Sequence, residues 1–197
     1  MKVLVDMDGC TTNFVSGAMR LHNKPWPYDD PVMQGPAGWD IYKHWGMSPA
    51  DFWSGMGYEF WSNLDPYPWA AELVDLAKQA VGSENVAFCT SPAHQPGCIE
   101  GKIDWCKAFF PDVPVVITRA VRGQPAPKHF LAHPDVILID DYDKNVDTFI
   151  EHGGRAILFP MPWNTQHVQY QLGNSLEAVI CGLKIAVPKG EQNEQLV

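Results

Sequence analysis

Short apolar runs recur along the chain, and each closes on polar residues. They are Lys2-Val3-Leu4-Val5 before Asp6, Val86-Ala87-Phe88-Cys89 before Thr90, and Val115-Val116-Ile117 before Thr118. Val136-Ile137-Leu138-Ile139 before Asp140 and Ala156-Ile157-Leu158-Phe159 before Pro160 complete the set. Continuous apolarity without alternation predicts strands covered on both faces. Segments of helical spacing lie between most of them. Ala70–Val81 carries Leu73, Val74, Leu76, Ala77 and Ala80, and residues 99–110 and 145–152 are further helix candidates. Strands alternating with helices predict an α/β fold, a three-layer parallel sheet with right-handed crossovers. Ligands of such sheets bind beyond the carboxyl ends of the strands, so the polar residues that close the runs point at one crevice.

The rhythm breaks once. About 80 residues separate the first strand from Val86, too many for one crossover helix, and six of the eight tryptophans fall in this gap. Residues 14–69 are therefore expected to form an inserted, aromatic-rich helical cap over a core built from residues 1–13 and 70–187. Residues 188–197 read as a polar, frayed tail.

Composition narrows the partners. A chain of 197 residues that is 46% hydrophobic can bury a sizeable core, and its length suits one domain with an inserted subdomain. The net charge of −9, from 14 basic and 23 acidic residues, argues against a nucleic-acid polymer as partner. A small anionic substrate stays compatible, because a few local lysines can override the global sign. The five cysteines are odd in number and include no Cys-x-x-Cys pair, so neither a disulfide framework nor a zinc site is expected. No stretch approaches the ~20 apolar residues that span a bilayer. With the first apolar run already a strand candidate, a cytoplasmic protein without a leader or membrane segment is expected.

The candidate chemistry sits at the strand ends. Val5-Asp6-Met7-Asp8-Gly9 places two carboxylates directly after a buried strand, able to share a hard cation or to attack phosphorus, with Gly9 allowing a sharp turn. Ile139-Asp140-Asp141 repeats the pattern. Four carboxylates meeting at one sheet edge repel unless a cation joins them, and an oxygen-only ligand set favours Mg²⁺. Thr90-Ser91 offers hydroxyls to an oxyanion ahead of an expected helix. Lys128, in Pro127-Lys128-His129-Phe130, can neutralise a phosphoryl group. The seven histidines include no pair at ligand spacing with an acid between, so none receives a metal role. Nicotinamide and P-loop fingerprints are missing from the sequence.

The order strand-DxDG, strand-Thr/Ser, Lys, strand-DD resembles the haloacid dehalogenase superfamily of phosphotransferases. Within it, the chain is similar to the 5′(3′)-deoxyribonucleotidase family. The stretches that carry the likeness are Asp6-Met7-Asp8-Gly9 with Phe14 eight residues on, Phe88-Cys89-Thr90-Ser91-Pro92, Gly101-Lys102-Ile103-Asp104-Trp105 and Leu138-Ile139-Asp140-Asp141. Asn63-Leu64-Asp65-Pro66-Tyr67-Pro68 matches the family's cap exit. The third-motif cation is assigned to Lys128, with Arg122 as the alternative.

The resemblance implies an order of roles. Asp6 would be the nucleophile that forms an aspartyl-phosphate, and Asp8 the acid to the leaving oxygen and then the base to water. Mg²⁺ would sit among Asp6, the Asp8 backbone carbonyl and the Asp140/Asp141 pair, with either of that pair as the direct ligand. Thr90, Ser91, Lys128 and Lys102 would hold phosphoryl oxygens. Thirteen of the 23 aromatic residues lie between Phe14 and Trp69, which suggests a platform for a nucleobase. Phe14, Phe52, Trp53, Phe60 and Trp61 are the candidates, most of them also serving as core. The expected activity is Mg²⁺-dependent hydrolysis of (deoxy)nucleoside monophosphates. Its rivals are a phosphatase for a sugar or other small phosphomonoester, and a non-catalytic nucleotide-binding protein on the same fold. An aromatic surface left exposed would favour a homodimer.

Overall fold

The computed structural model of the chain describes residues 1–119 and 127–188. Five parallel strands form one sheet in the order β3-β2-β1-β4-β5, with β1 Lys2–Val5, β2 Val86–Thr90, β3 Val115–Ile117, β4 Val136–Asp140 and β5 Arg155–Leu158. All five runs become strands, with ends displaced by at most one residue. Thr90 and Asp140 are thereby drawn into their strands, paired in register with Ile117 and Leu158. β1 is central, with Val5 level with Phe88 on one side and Ile139 on the other.

The absence of alternation in the strands has a direct cause. Val3, Val5, Val86, Phe88, Ile137 and Ile139 enter one large core, while Leu4, Cys89 and Leu138 point to the opposite face. Both faces are covered, so both parities must be apolar.

The chain leaves β1 through α1 Phe14–His22, whose first turn is capped by the Asn13 side chain accepting from the Ser16 N–H. Three single 3₁₀ turns follow, Pro27–Asp29, Pro31–Met33 and Pro36–Trp39. Each opens with proline, whose fixed φ and missing N–H suit a first helical position. Then come α2 Ile41–His44, α3 Pro49–Trp53 and α4 Tyr58–Ser62. Such short helices have no stability of their own. What orders them is burial of Tyr28, Met33, Ile41, Trp45, Phe52, Met56, Trp61 and Leu64 in the same core as the sheet. The insertion is thus less regularly helical than expected, because proline interrupts it repeatedly.

Two long helices follow the insertion, α5 Ala70–Val81 and α6 Cys98–Phe109, each within two residues of its expected start. α7 Asp143–Glu151 follows β4 and buries Phe149 against Leu4 and Leu138 on the second face. The sequence reading contains no counterpart of α8 His167–Gln171 or α9 Ser175–Ala186. α9 sends Val179 and Leu183 into the larger core, alongside α5 residues Leu73 and Val74. Among the described residues, no helix is long and apolar enough to cross a membrane. All five cysteines are free, and only Cys181 is exposed.

Candidate active site

The strand order brings the acidic tips together. Asp6 follows β1, and Asp140 and Asp141 close and follow β4, the neighbouring strand. One carboxylate oxygen from each of Asp6, Asp140 and Asp141 lies within 4.8 Å of the others, and all three residues are buried. Gly9 makes the turn beyond Asp6 possible. Its φ is +85°, and a Cβ there would collide with the Asp141 carboxylate.

Lys128 occupies a 3₁₀ turn over Pro127–Leu131 and is fully buried. Its Nζ lies 2.6 Å from both Asp6 Oδ1 and Asp140 Oδ2. Burial works to strip the ammonium of its proton, but Asp140 and Asp6 outweigh it and hold Lys128 charged well beyond the ordinary lysine range. The three acids still exceed their one buried cation. Burial, with Asp140 and Asp8 reinforcing it against Lys128, pushes Asp6 up to about 7. Burial, then Asp6 and Asp140, drive Asp141 well above the carboxylate range.

The members of the acidic pair are not equivalent. The Asp140 carboxylate accepts from Lys128, from the Tyr142 N–H at 2.9 Å and from Asn145 Nδ2 at 3.1 Å. Asp141 Oδ2 accepts from Trp163 Nε1 at 2.6 Å, while its Oδ1 is buried with no donor at all. A buried carboxylate oxygen without a partner is costly. Three converging carboxylates, one of them with an orphaned oxygen, fit a hard divalent cation. The Asp8 side chain stands outside this cluster, accepting from Thr12 Oγ1 at 2.8 Å and ion-paired with Lys102. The Asp8 side chain is thus engaged away from the three carboxylates.

The hydroxyl loop differs from expectation. Thr90 and Ser91 do not lead into a helix; α6 begins only at Cys98, and residues 92–97 form an irregular loop. Ser91 Oγ is 2.8 Å from Thr118 Oγ1. Lys102 is 1% exposed on α6, and its Nζ donates to Asp8 and, at 2.8 Å, to Thr90 Oγ1. Arg122 lies outside the described residues.

A cavity of about 500 Å³ opens above these groups. Asp6, Asp8, Thr90, Ser91, Lys128 and Asp141 line it, as do Phe14, Phe52, Trp53 and Trp61. Phe14 is the hub of the aromatic wall: Trp61 stacks on it at 5.6 Å and 17°, and Phe52, Trp53 and Phe60 lie within 6.3 Å. Phe60 does not line the cavity. It packs edge-on behind Phe14 and against Trp61. The sequence reading missed Tyr28, Trp39, Tyr42, Tyr142, Asn145 and Trp163, which also line it. Trp39 stacks on Tyr142 at 4.0 Å, joining the insertion to the residue after Asp141. Asn145, one helical turn beyond Asp141, carried a usable signal. Trp163, reached only by the return of the chain from β5, carried none.

A profile of the family described as 5′ nucleotidase, deoxy (pyrimidine), cytosolic type C protein matches residues 1–179. No curated protein matches the sequence significantly. Among solved structures, the chain is similar to a haloacid dehalogenase-like hydrolase from Streptococcus pneumoniae, at a TM-score of 0.51 and 13% identity over 95% of this chain and 91% of that one. It is also similar to a HAD family hydrolase from Deinococcus radiodurans with bound phosphate and sodium, at a TM-score of 0.51 and 17% identity over 95% and 97%. An L-2-haloacid dehalogenase from Xanthobacter autotrophicus with covalently bound chloropropionic acid gives 0.51 and 11%, over 95% and 88%. At these identities the likeness is one of fold, a Rossmann-like α/β fold of the haloacid dehalogenase type.

Proposed function

The chain belongs to the deoxy (pyrimidine), cytosolic type C family of 5′ nucleotidases, phosphoric monoester hydrolases, and on that footing we propose that it hydrolyses (deoxy)nucleoside monophosphates through an aspartyl-phosphate, with Mg²⁺ as its ion. One observation carries the reading. The same cavity is lined by a buried acid–lysine cluster suited to phosphoryl transfer and by aromatic rings suited to a base. A cytosolic setting, the one named in the family's description, belongs to the same proposal.

Lys128 holds Asp6 Oδ1, and the Asp6 carboxylate lines the cavity. In the first step an Asp6 oxygen bonds to phosphorus, the bond from phosphorus to the nucleoside oxygen breaks, and Asp8 passes its proton to that oxygen. In the second, Asp8 takes a proton from water, the water oxygen bonds to phosphorus, and the bond to Asp6 breaks. Phosphate leaves and Asp6 is restored. Thr90, Ser91 and Lys128 bind phosphoryl oxygens throughout. Asp6, the Asp8 carbonyl and Asp141 would hold the ion, with Asp141 rather than the saturated Asp140 as the direct ligand from β4. When bound, it neutralises charge on the phosphoryl oxygens. Asp140 then serves to orient Lys128.

Residues 14–69 act as the cap in this reading, with Phe14 presenting a ring face to the base and Trp61 stacked behind it. Measured kcat/KM for dUMP, dTMP and the purine deoxynucleotides in Mg²⁺ should exceed that for sugar phosphates. The reverse order defeats the nucleotide assignment and leaves a phosphatase of another small ester.

A further inference from the structure

Lys102 is buried beneath the site and not part of its lining, whereas three of its neighbours, Asp8, Thr90 and Trp61, do line the cavity. An ammonium has three N–H donors. Two of them serve Asp8 and Thr90, and the Trp61 ring covers a further side, its centroid 4.9 Å from Nζ. A substrate phosphate therefore meets the oxygens that Lys102 holds, not Lys102 itself. The contact with Trp61 is built into the backbone. At Gly101, the residue before it, a Cβ would lie 2.7 Å from the Tyr58 carbonyl oxygen and 2.8 Å from Trp61 Cβ. Only glycine lets α4 of the insertion sit this close to α6 of the core. Trp61 in turn stacks on Phe14.

We propose that Lys102 is a positioning residue that couples the aromatic wall to the reacting centre: Trp61 seats the ammonium, and the ammonium fixes Asp8 and Thr90. The proposal rests on Asp8 serving the leaving oxygen, as argued above. A cation over a tryptophan face gains most where water is excluded, as it is here. Loss of the ring would thus loosen Asp8 even for a substrate that has no base to stack.

The test uses two esters that differ in their need for a leaving-group proton. 2-Deoxyribose 5-phosphate loses an alkoxide, as a nucleotide does, but carries no base; p-nitrophenyl phosphate loses a stable phenolate. Lys102→Met should lower kcat for deoxyribose 5-phosphate about 10²-fold, within the range of general acid–base catalysis, with KM changed less than about threefold. On p-nitrophenyl phosphate the loss should stay under about tenfold. Lys102→Arg should restore part of the loss. Trp61→Leu should lower kcat on deoxyribose 5-phosphate about tenfold in the unmodified protein and have no further effect in the Lys102→Met background. Independent, multiplicative losses overturn the proposal. So does a rise in KM with equal losses on both esters, which would make Lys102 a direct phosphate ligand. If Lys102→Met does not fold, Trp61→Leu alone still decides, because a deoxyribose 5-phosphate rate that it leaves unchanged excludes the coupling. Preference for sugar phosphates over nucleotides defeats the nucleotide reading yet leaves this cycle measurable on the sugar ester.

Discussion

Lys128 Nζ stands 2.6 Å from Asp6 Oδ1, inside the protein and out of contact with bulk water. The same nitrogen grips Asp140, so one ammonium joins the tips of two adjacent strands. Lys128→Met should therefore abolish hydrolysis and also cost about 3–5 kcal/mol of folding free energy, because buried carboxylates lose their cation. Urea unfolding of the variant, with and without Mg²⁺, measures the loss. An unfolding midpoint like that of the wild type would refute the pairing.

Asp6→Asn should reduce turnover of any phosphomonoester by about 10⁴-fold or more, since a nucleophile works as part of a unit. The amide removes one of three crowded carboxylates, so the metal-free variant should be at least as stable as wild type at pH 8. Activity assays alongside thermal melts separate lost chemistry from lost fold.

The pH dependence has a definite sign. Asp6 is raised to about 7, and Asp141 is raised further, chiefly by burial. Stability from a raised carboxyl is fully present below its unfolded value of 3.8 and is lost as pH climbs through its folded value. The metal-free protein should thus become less stable between pH 5 and pH 8. A divalent ion needs these groups deprotonated, so its stabilising effect should grow over the same interval. Differential scanning calorimetry at pH 6 and pH 8 with Mg²⁺ tests this; a Tm increment that is equal or larger at pH 6 contradicts it.

Trp163→Phe removes the hydrogen bond to Asp141 Oδ2 and leaves that carboxylate without a protein donor to its side chain. Partners of this kind orient metal ligands, and their loss costs about 10–100-fold in affinity. The Mg²⁺ concentration for half-maximal activity should rise accordingly while the fold persists.

Phe14→Leu should raise KM for deoxynucleotides about tenfold, in line with ~1–3 kcal/mol per stacked base. Its effect on p-nitrophenyl phosphate should be small. Equal losses on both would mean that Phe14 supports the loop around Asp6 instead of contacting the base.

The sheet and its acidic tips were legible in the sequence because both rest on local pattern. Runs such as Val136-Ile137-Leu138-Ile139 have no polar parity, and the fold supplies the reason: two covered faces. The crevice rule then placed Asp6, Thr90 and Asp140 on one edge. What escaped depends on distance through space. The surroundings of Asp140 and Asp141 differ because Lys128, Tyr142 and Asn145 donate to the first and Trp163 to the second. The engagement of Lys102 with Asp8 spans 94 positions. In the insertion, Phe60 and Trp61 are neighbours in sequence, yet only Trp61 reaches the cavity, as the turn of a five-residue helix decides. α9 could have been read from its apolar spacing, but its role as a cover for the sheet shows only where Val179 and Leu183 meet the larger core.

The two ladders that flank β1 have a consequence for how this site can change. Asp6 hangs from the end of a strand that cannot shift without breaking hydrogen bonds on both sides. Apart from Phe14 on α1, the rings opposite are carried by helices of four or five residues ordered mainly by their burial. Apart from Trp61, mutational drift between residues 41 and 62 can therefore reshape what is admitted while Asp6 keeps its place, so most of selectivity is able to evolve on a schedule separate from bond-breaking.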